Sequence, residues 1–141
     1  MVALLAAGLA VLPALTGCSS SDPNAGAAPP QAEAGVRQTP VVAGRRARVF
    51  VMAGFGAQCE SLPAPNLTVT LAPQKGDVSF EPDQETTVNT SASGTCIGQR
   101  VLGTGIYYTA RPGQTGGDTF SVQAELGGSV TERSFAVEIV E

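Results

Sequence analysis

The chain has 141 residues, 12 acidic and 8 basic side chains, a formal net charge of −4, and neither histidine nor tryptophan. A sequence pI near 4.7 excludes the basic footprint that nucleic-acid binding requires. The absence of histidine removes the commonest general base, the commonest transition-metal ligand and the usual physiological pH switch together.

From Met1 to Leu15 the sequence is uncharged and apolar, and it runs directly into Thr16-Gly17-Cys18. Interrupted by Gly8 and Pro13, the run falls short of the roughly 20 apolar residues of a spanning helix and reads as a secretory signal. An apolar segment ending in Leu15-Thr16-Gly17-Cys18 resembles the lipobox of bacterial lipoproteins. The resemblance implies that residues 1–17 form a signal peptide and that the Cys18 thiol takes a diacylglycerol and becomes the mature N-terminus. Signals ordinarily begin with Lys or Arg, whereas this chain opens Met1-Val2-Ala3, the pattern expected of a start codon assigned too late. A plain cleaved secretory signal is the alternative; a buried helix ending at Gly17 would have only Ser-Ser-Ser-Asp-Pro after it and nothing to pack on. One acyl chain gives marginal membrane binding, but two or three on one cysteine, palmitate among them, anchor stably. Ser19 is not the Asp that in many Gram-negative lipoproteins signals inner-membrane retention, so the resemblance favours the outer membrane, on its periplasmic or surface face.

Residues 18–44 are expected to be the lipidated cysteine and a disordered tether, because Ser, Ala, Pro and Gly there cannot offset the entropy of ordering. A coil of that length spans roughly 30 Å, enough to hold a domain clear of headgroups and too little to cross a periplasm. Arg45, Arg46 and Arg48 follow; they suit anionic lipid or lipopolysaccharide phosphates, or simply the solvated edge of a strand.

Residues 45–141 are expected to form one domain with one core. Its period is two rather than 3.6. Arg48–Met52, Leu67–Leu71, Val78–Phe80, Thr86–Asn89, Gly105–Thr109, Thr119–Ala124 and Phe135–Ile139 are short, β-branched or aromatic, and bounded by turn residues. Lys75-Gly76-Asp77, Pro112-Gly113-Gln114 and Gly127-Gly128-Ser129 supply the turn chemistry. About seven short strands and no helical stripe predict an all-β antiparallel Greek-key, immunoglobulin-like β-sandwich. The register is clearest at the end of the chain: Phe120, Val122, Ala124 and Leu126 point inward, Thr119, Ser121, Gln123 and Glu125 outward, and Phe135, Val137 and Ile139 continue the inner face. Tyr107 and Tyr108 are adjacent, so one faces the core and the other the surface, as an ordinary surface tyrosine or a sugar-stacking platform.

With Cys18 assigned to lipid, Cys59 and Cys96 remain as an even pair in an exported chain, and the natural reading is one disulfide. It closes a loop of about 38 residues and stabilises by about 4 kcal/mol in chain-entropy terms. Two cysteines without histidine are too few ligands for a metal, and their spacing is not that of a C-x-x-C redox pair.

Tyr108-Thr109-Ala110-Arg111-Pro112, followed by Gly116-Gly117-Asp118-Thr119-Phe120 and an alternating strand, resembles the closing half of bacterial immunoglobulin-like or cadherin-like repeats. Ala72-Pro73-Gln74-Lys75-Gly76-Asp77-Val78 is similar to the step that opens their preceding hairpin. Ala110, Gln114 and the cysteine pair depart from the family pattern. The resemblance implies a non-enzymatic adhesion, spacer or display module. Within the motif Gly116 suits the tight turn, Asp118 can accept hydrogen bonds from neighbouring backbone amides, and Phe120 enters the core as the strand begins. Cadherin-type domains bind calcium between repeats, which raises Asp118 with Asp77, Glu81, Asp83 and Glu85 as a hard-cation site. Glu81-Pro82-Asp83-Gln84-Glu85 lacks the glycine and spacing of a calcium loop, so a solvated acidic turn is the expectation and no metal or other cofactor is assigned.

No catalytic residue can be named. Serines and threonines need an adjacent base, and without histidine only Lys75 is offered, from a turn. Paired carboxylates need a concave site that a domain of this size seldom provides. The expected partners are the membrane, through the lipid anchor, and a protein or cell-wall component. The alternative is a periplasmic inhibitor or ligand-binding effector that uses a disulfide-braced loop, Gln58–Pro65 or Ser93–Cys96.

Overall fold

In the computed structural model residues 37–141, apart from Ala92, are described, and they belong to one compact unit, Gln31–Glu141. Cys18, the segment 1–17 expected to be a signal peptide and most of the stretch expected to be a tether lie outside the described residues. The strands are β1 Val41–Val42, β2 Arg46–Met52, β3 Asn66–Leu71, β4 Gly76–Thr87, β5 Arg100–Ala110, β6 Gly116–Leu126 and β7 Ser129–Val140. They form two sheets, one of four strands ordered β1-β7-β6-β3 and one of three ordered β2-β5-β4. All pairs are antiparallel except β1 with β7.

Alternation builds the core. Phe120, Val122 and Ala124 of β6 and Phe135, Val137 and Ile139 of β7 are buried, as expected, and face Val49, Ile106, Tyr108 and Ala110 of the other sheet. The aromatic centre is a row: Tyr108 stacks on Phe120 with centroids 5.9 Å apart, and Phe120 on Phe135 at 5.1 Å. The hairpin between β6 and β7 turns on Gly127 and Gly128 at φ 56° and 81°, the positive-φ pair that matches the twist of a two-residue hairpin.

The number of strands agrees with expectation, but the strands are distributed differently. Val78–Phe80 and Thr86–Asn89 are not separate strands: β4 runs through the first and includes Thr86 and Thr87 of the second, leaving Val88 and Asn89 in the loop, with a register shift between Glu81 and Gln84. The Pro82-Asp83 pair that reads as a boundary is absorbed as a bulge, with Asp83 at φ 57°; β4 is a sheet edge, where a missing ladder donor is tolerated. The additional strand is β1, at the end of the stretch expected to be tether. Val41 there is 1% exposed and part of the core, paired with Ile139.

Candidate functional site

The two long loops lie at one end of the sandwich. One, residues 53–65, joins β2 to β3; the other, residues 88–99, joins β4 to β5. The first is held by its own backbone, with Gly56 N–H donating to Glu60 O at 2.9 Å, Cys59 N–H to Gly56 O at 3.0 Å and Leu62 N–H to Gly54 O at 3.0 Å. The second is closed by Val88 N–H to Gln99 O and Gly98 N–H to Val88 O, both at 2.9 Å, and carries a hydroxyl chain from Ser91 through Ser93 to Thr95 at 2.9 and 2.7 Å. A disulfide between Cys59 and Cys96 joins them, Cα atoms 5.4 Å apart, so the segments 58–65 and 93–96 form one braced surface. Leu62 and Ile97 are exposed on it, 38% and 52%, and Ser61 Oγ accepts the Leu102 amide at 2.9 Å.

Beneath the loops is a cleft of about 160 Å³ lined by Phe50, Met52, Phe55, Val88, Val101 and Arg133, among others. Arg133 lies opposite Val122 in the β6–β7 register, on the inward parity of β7, and its guanidinium sits 4.3 Å from the centroid of Phe50. Phe135, Val137 and Ile139 mark the inner face of β7 in the sequence. Counting back two residues from Phe135 reaches Arg133, a signal that was available.

The structural motif residues come together at the opposite end of the core. Asp118 is 7% exposed and its two oxygens accept four donors: Gln74 N–H at 3.1 Å and Thr119 N–H at 2.9 Å on Oδ1, Lys75 N–H and the Tyr108 hydroxyl, both at 2.8 Å, on Oδ2. Thr119 is the expected neighbouring amide; Gln74 and Lys75 reach over from the loop between β3 and β4, and the Tyr108 contact was not foreseen. Burial alone pushes the Asp118 carboxyl up, but the donations from Lys75, Tyr108, Gln74 and Thr119 together hold it below its ordinary value. Burial, and then the hydrogen bond to that carboxylate, push the Tyr108 hydroxyl well above the usual tyrosine range. Gly116 opens β6 at φ 81°, and Phe120 fills the core.

Of the tyrosine pair, Tyr108 is buried and Tyr107 faces outward. The Arg46 guanidinium lies 3.8 Å from the Tyr107 ring centroid and bonds Glu81 at 2.6 Å, while Tyr107 donates to Gln84 at 2.9 Å. One face of the ring is therefore already covered. The carboxylates raised as a cation site are dispersed: Asp77 pairs with Arg111 and Glu85 with Arg100. Among the described residues no three acidic, cysteine or histidine side chains are placed to hold a metal. Lys75 directs its Nζ to Thr115 O at 2.8 Å.

Among the described residues no helix is long and apolar enough to cross a membrane. No family model, curated protein or solved structure matches the chain.

Proposed function

We propose that this protein is a non-enzymatic lipoprotein of the bacterial cell envelope, held to its membrane through Cys18, whose sandwich is a structural, display or protein-interaction module. The observation that carries the reading is the bond between Cys59 and Cys96, which suits an exported chain, in a sequence whose Leu15–Cys18 segment reads as a lipobox. The order β1-β7-β6-β3 over β2-β5-β4, with β1 parallel to β7, supports a Greek-key, immunoglobulin-like connectivity. The joining of Tyr108, Asp118 and Phe120 at one corner fits the bacterial immunoglobulin-like or cadherin-like pattern. Its partner on this reading is a protein or cell-wall component, and the outer membrane its location.

Labelling cells with an alkyne fatty acid tests the anchor. The full chain acquires label and fractionates with membranes, and Cys18→Ala loses both. A Cys18→Ala protein as membrane-bound as the parent would sink the reading. Proximity crosslinking in the same cells then identifies the partner.

One observation favours a second reading. The disulfide fixes two loops as a single braced surface with Leu62 and Ile97 exposed, a preorganised form that suits contact with a hydrolase active site. Capture of a hydrolase through residues 58–65, with its activity blocked, would promote the inhibitor role over the display role.

A further inference from the structure

The charges of the sandwich are sorted by flank. β2 and β4 lie on opposite sides of β5. β4 carries Asp77, Glu81, Asp83 and Glu85, whereas β2 and the turn before it carry Arg45, Arg46 and Arg48. Arg37 belongs to the same flank, since its amide donates to Val49 O of β2 at 2.8 Å. Four of the chain's eight cationic side chains thus fall between positions 37 and 48 of an otherwise acidic protein.

Their partners differ. Arg46, Arg100 and Arg111 neutralise Glu81, Glu85 and Asp77, and the Arg37 guanidinium donates to the carbonyls of Thr39 and Pro40 at 3.0 and 3.4 Å. Arg45 and Arg48 are exposed and, among the described residues, neither takes part in an ion pair. The flank that holds them is also where the chain from Cys18 arrives, at Arg37. Nineteen peptide units separate Cys18 from Arg37, so an anchor at Cys18 would hold Arg37 within about 65 Å of the membrane at most, a limit that leaves anionic headgroups within reach of the flank.

We infer that the flank formed by Arg37, Arg45 and Arg48 docks on an anionic lipid surface, laying the sandwich on its β2 edge against the membrane and turning the acidic β4 edge away from it. Charge complementarity and the anchor together select this occupant: exposed guanidinium groups without carboxylate partners match headgroup phosphates, and an anchor at Cys18 would keep a membrane within reach of the flank, whereas nothing comparable delivers an acidic protein to it. The inference rests on the membrane-anchor reading for its geometry, but its chemistry can be measured without the anchor.

The test uses full-length protein and its Cys18→Ala variant, each with vesicles of phosphatidylcholine alone and with phosphatidylglycerol added. The docking readout is the difference between the two vesicle types, to which an acyl chain or an apolar N-terminal segment contributes equally. In the Cys18→Ala background, phosphatidylglycerol is expected to strengthen binding, with the gain shrinking as salt rises. Arg45→Glu with Arg48→Glu is expected to weaken binding to the anionic vesicles by at least about 25-fold, from about 5-fold per surface charge. Arg45→Gln with Arg48→Gln, a milder pair, moves the same way. Equal binding to both vesicle types, or a gain that survives both pairs of substitutions, overturns docking. The anchor fails separately, if Cys18→Ala binds pure phosphatidylcholine as strongly as the parent.

Discussion

The Tyr108 hydroxyl donates to Asp118 Oδ2 at 2.8 Å, joining β5 of one sheet to β6 of the other at the end of the core away from the braced loops. The same oxygen receives the Lys75 amide, so one buried carboxylate fastens three segments distant in sequence. A hydrogen bond to a charged group contributes about 1.5–3 kcal/mol, and orphaned buried donors cost further. Tyr108→Phe is expected to lose about 2 kcal/mol and Asp118→Asn about 3 kcal/mol or more. In urea unfolding the double variant should lose less than the sum by about 1 kcal/mol, the coupling of neighbours in one network; strict additivity would show that the two groups act apart.

The same pair sets limits on pH. Asp118 is held below its ordinary carboxyl value in the folded state, so its contribution is present above the unfolded value of about 3.9 and is lost as pH falls through the folded value. Tyr108 is raised, so its contribution is present below the unfolded value of about 10 and is lost as pH rises toward the folded one. Urea midpoints should be flat between about pH 5 and 9 and fall on both sides. Tyr108→Phe should shallow the alkaline fall, and an unchanged alkaline arm would remove Tyr108 as its cause.

Gly76 begins β4 without a positive φ, so it is its missing side chain that the site requires. A Cβ there would clash with the Tyr108 ring and, at 2.6 Å, with the Thr109 carbonyl oxygen, the second of which is backbone and cannot turn away. Gly76→Ala is expected to cost about 2–3 kcal/mol, read as a lower thermal midpoint. Gly113→Ala is a poorer probe, because its φ of 78° adds backbone strain although nothing crowds the position.

Removing the disulfide should be felt by the whole domain. Cys59 and Cys96 are 37 positions apart, and closing a loop of that size restricts the unfolded chain by about 4 kcal/mol. For a domain near one hundred residues that corresponds to a fall of about 15–30 °C in Tm. Scanning calorimetry of the Cys59→Ala, Cys96→Ala protein against the parent measures it; a shift of only a few degrees would mean that the unfolded chain is already compact.

How much of this was legible in the sequence depends on the reach of each signal. Most of β6 could be read from alternation, because Phe120, Val122 and Ala124 are buried between polar neighbours and Gly127-Gly128 marks the hairpin; Ser121, expected outward, is buried as well and shares a hydrogen bond of 2.8 Å with Ser134, which its residue type does not announce. β1 could not, since two valines have no period and its partner, Ile139, is at the other end of the chain. Pro82 looked like an end and is a bulge, because whether a strand survives a proline depends on which sheet edge it occupies. Asp118 was singled out, but two of its four donors are the backbone amides of Gln74 and Lys75, which no residue type announces.

Both half-cystines have φ of 64°, in the left-handed region that glycine favours and that costs an L-residue roughly 1–2 kcal/mol. The reduced chain has no reason to dwell in these two conformations. During biogenesis, oxidation and the final setting of the loops then become a single event: the sheets can assemble first, with the loop end completed only where thiols are oxidised. A reduced chain would carry a finished core and an unfinished loop end, acquiring its braced surface only when the thiols are oxidised.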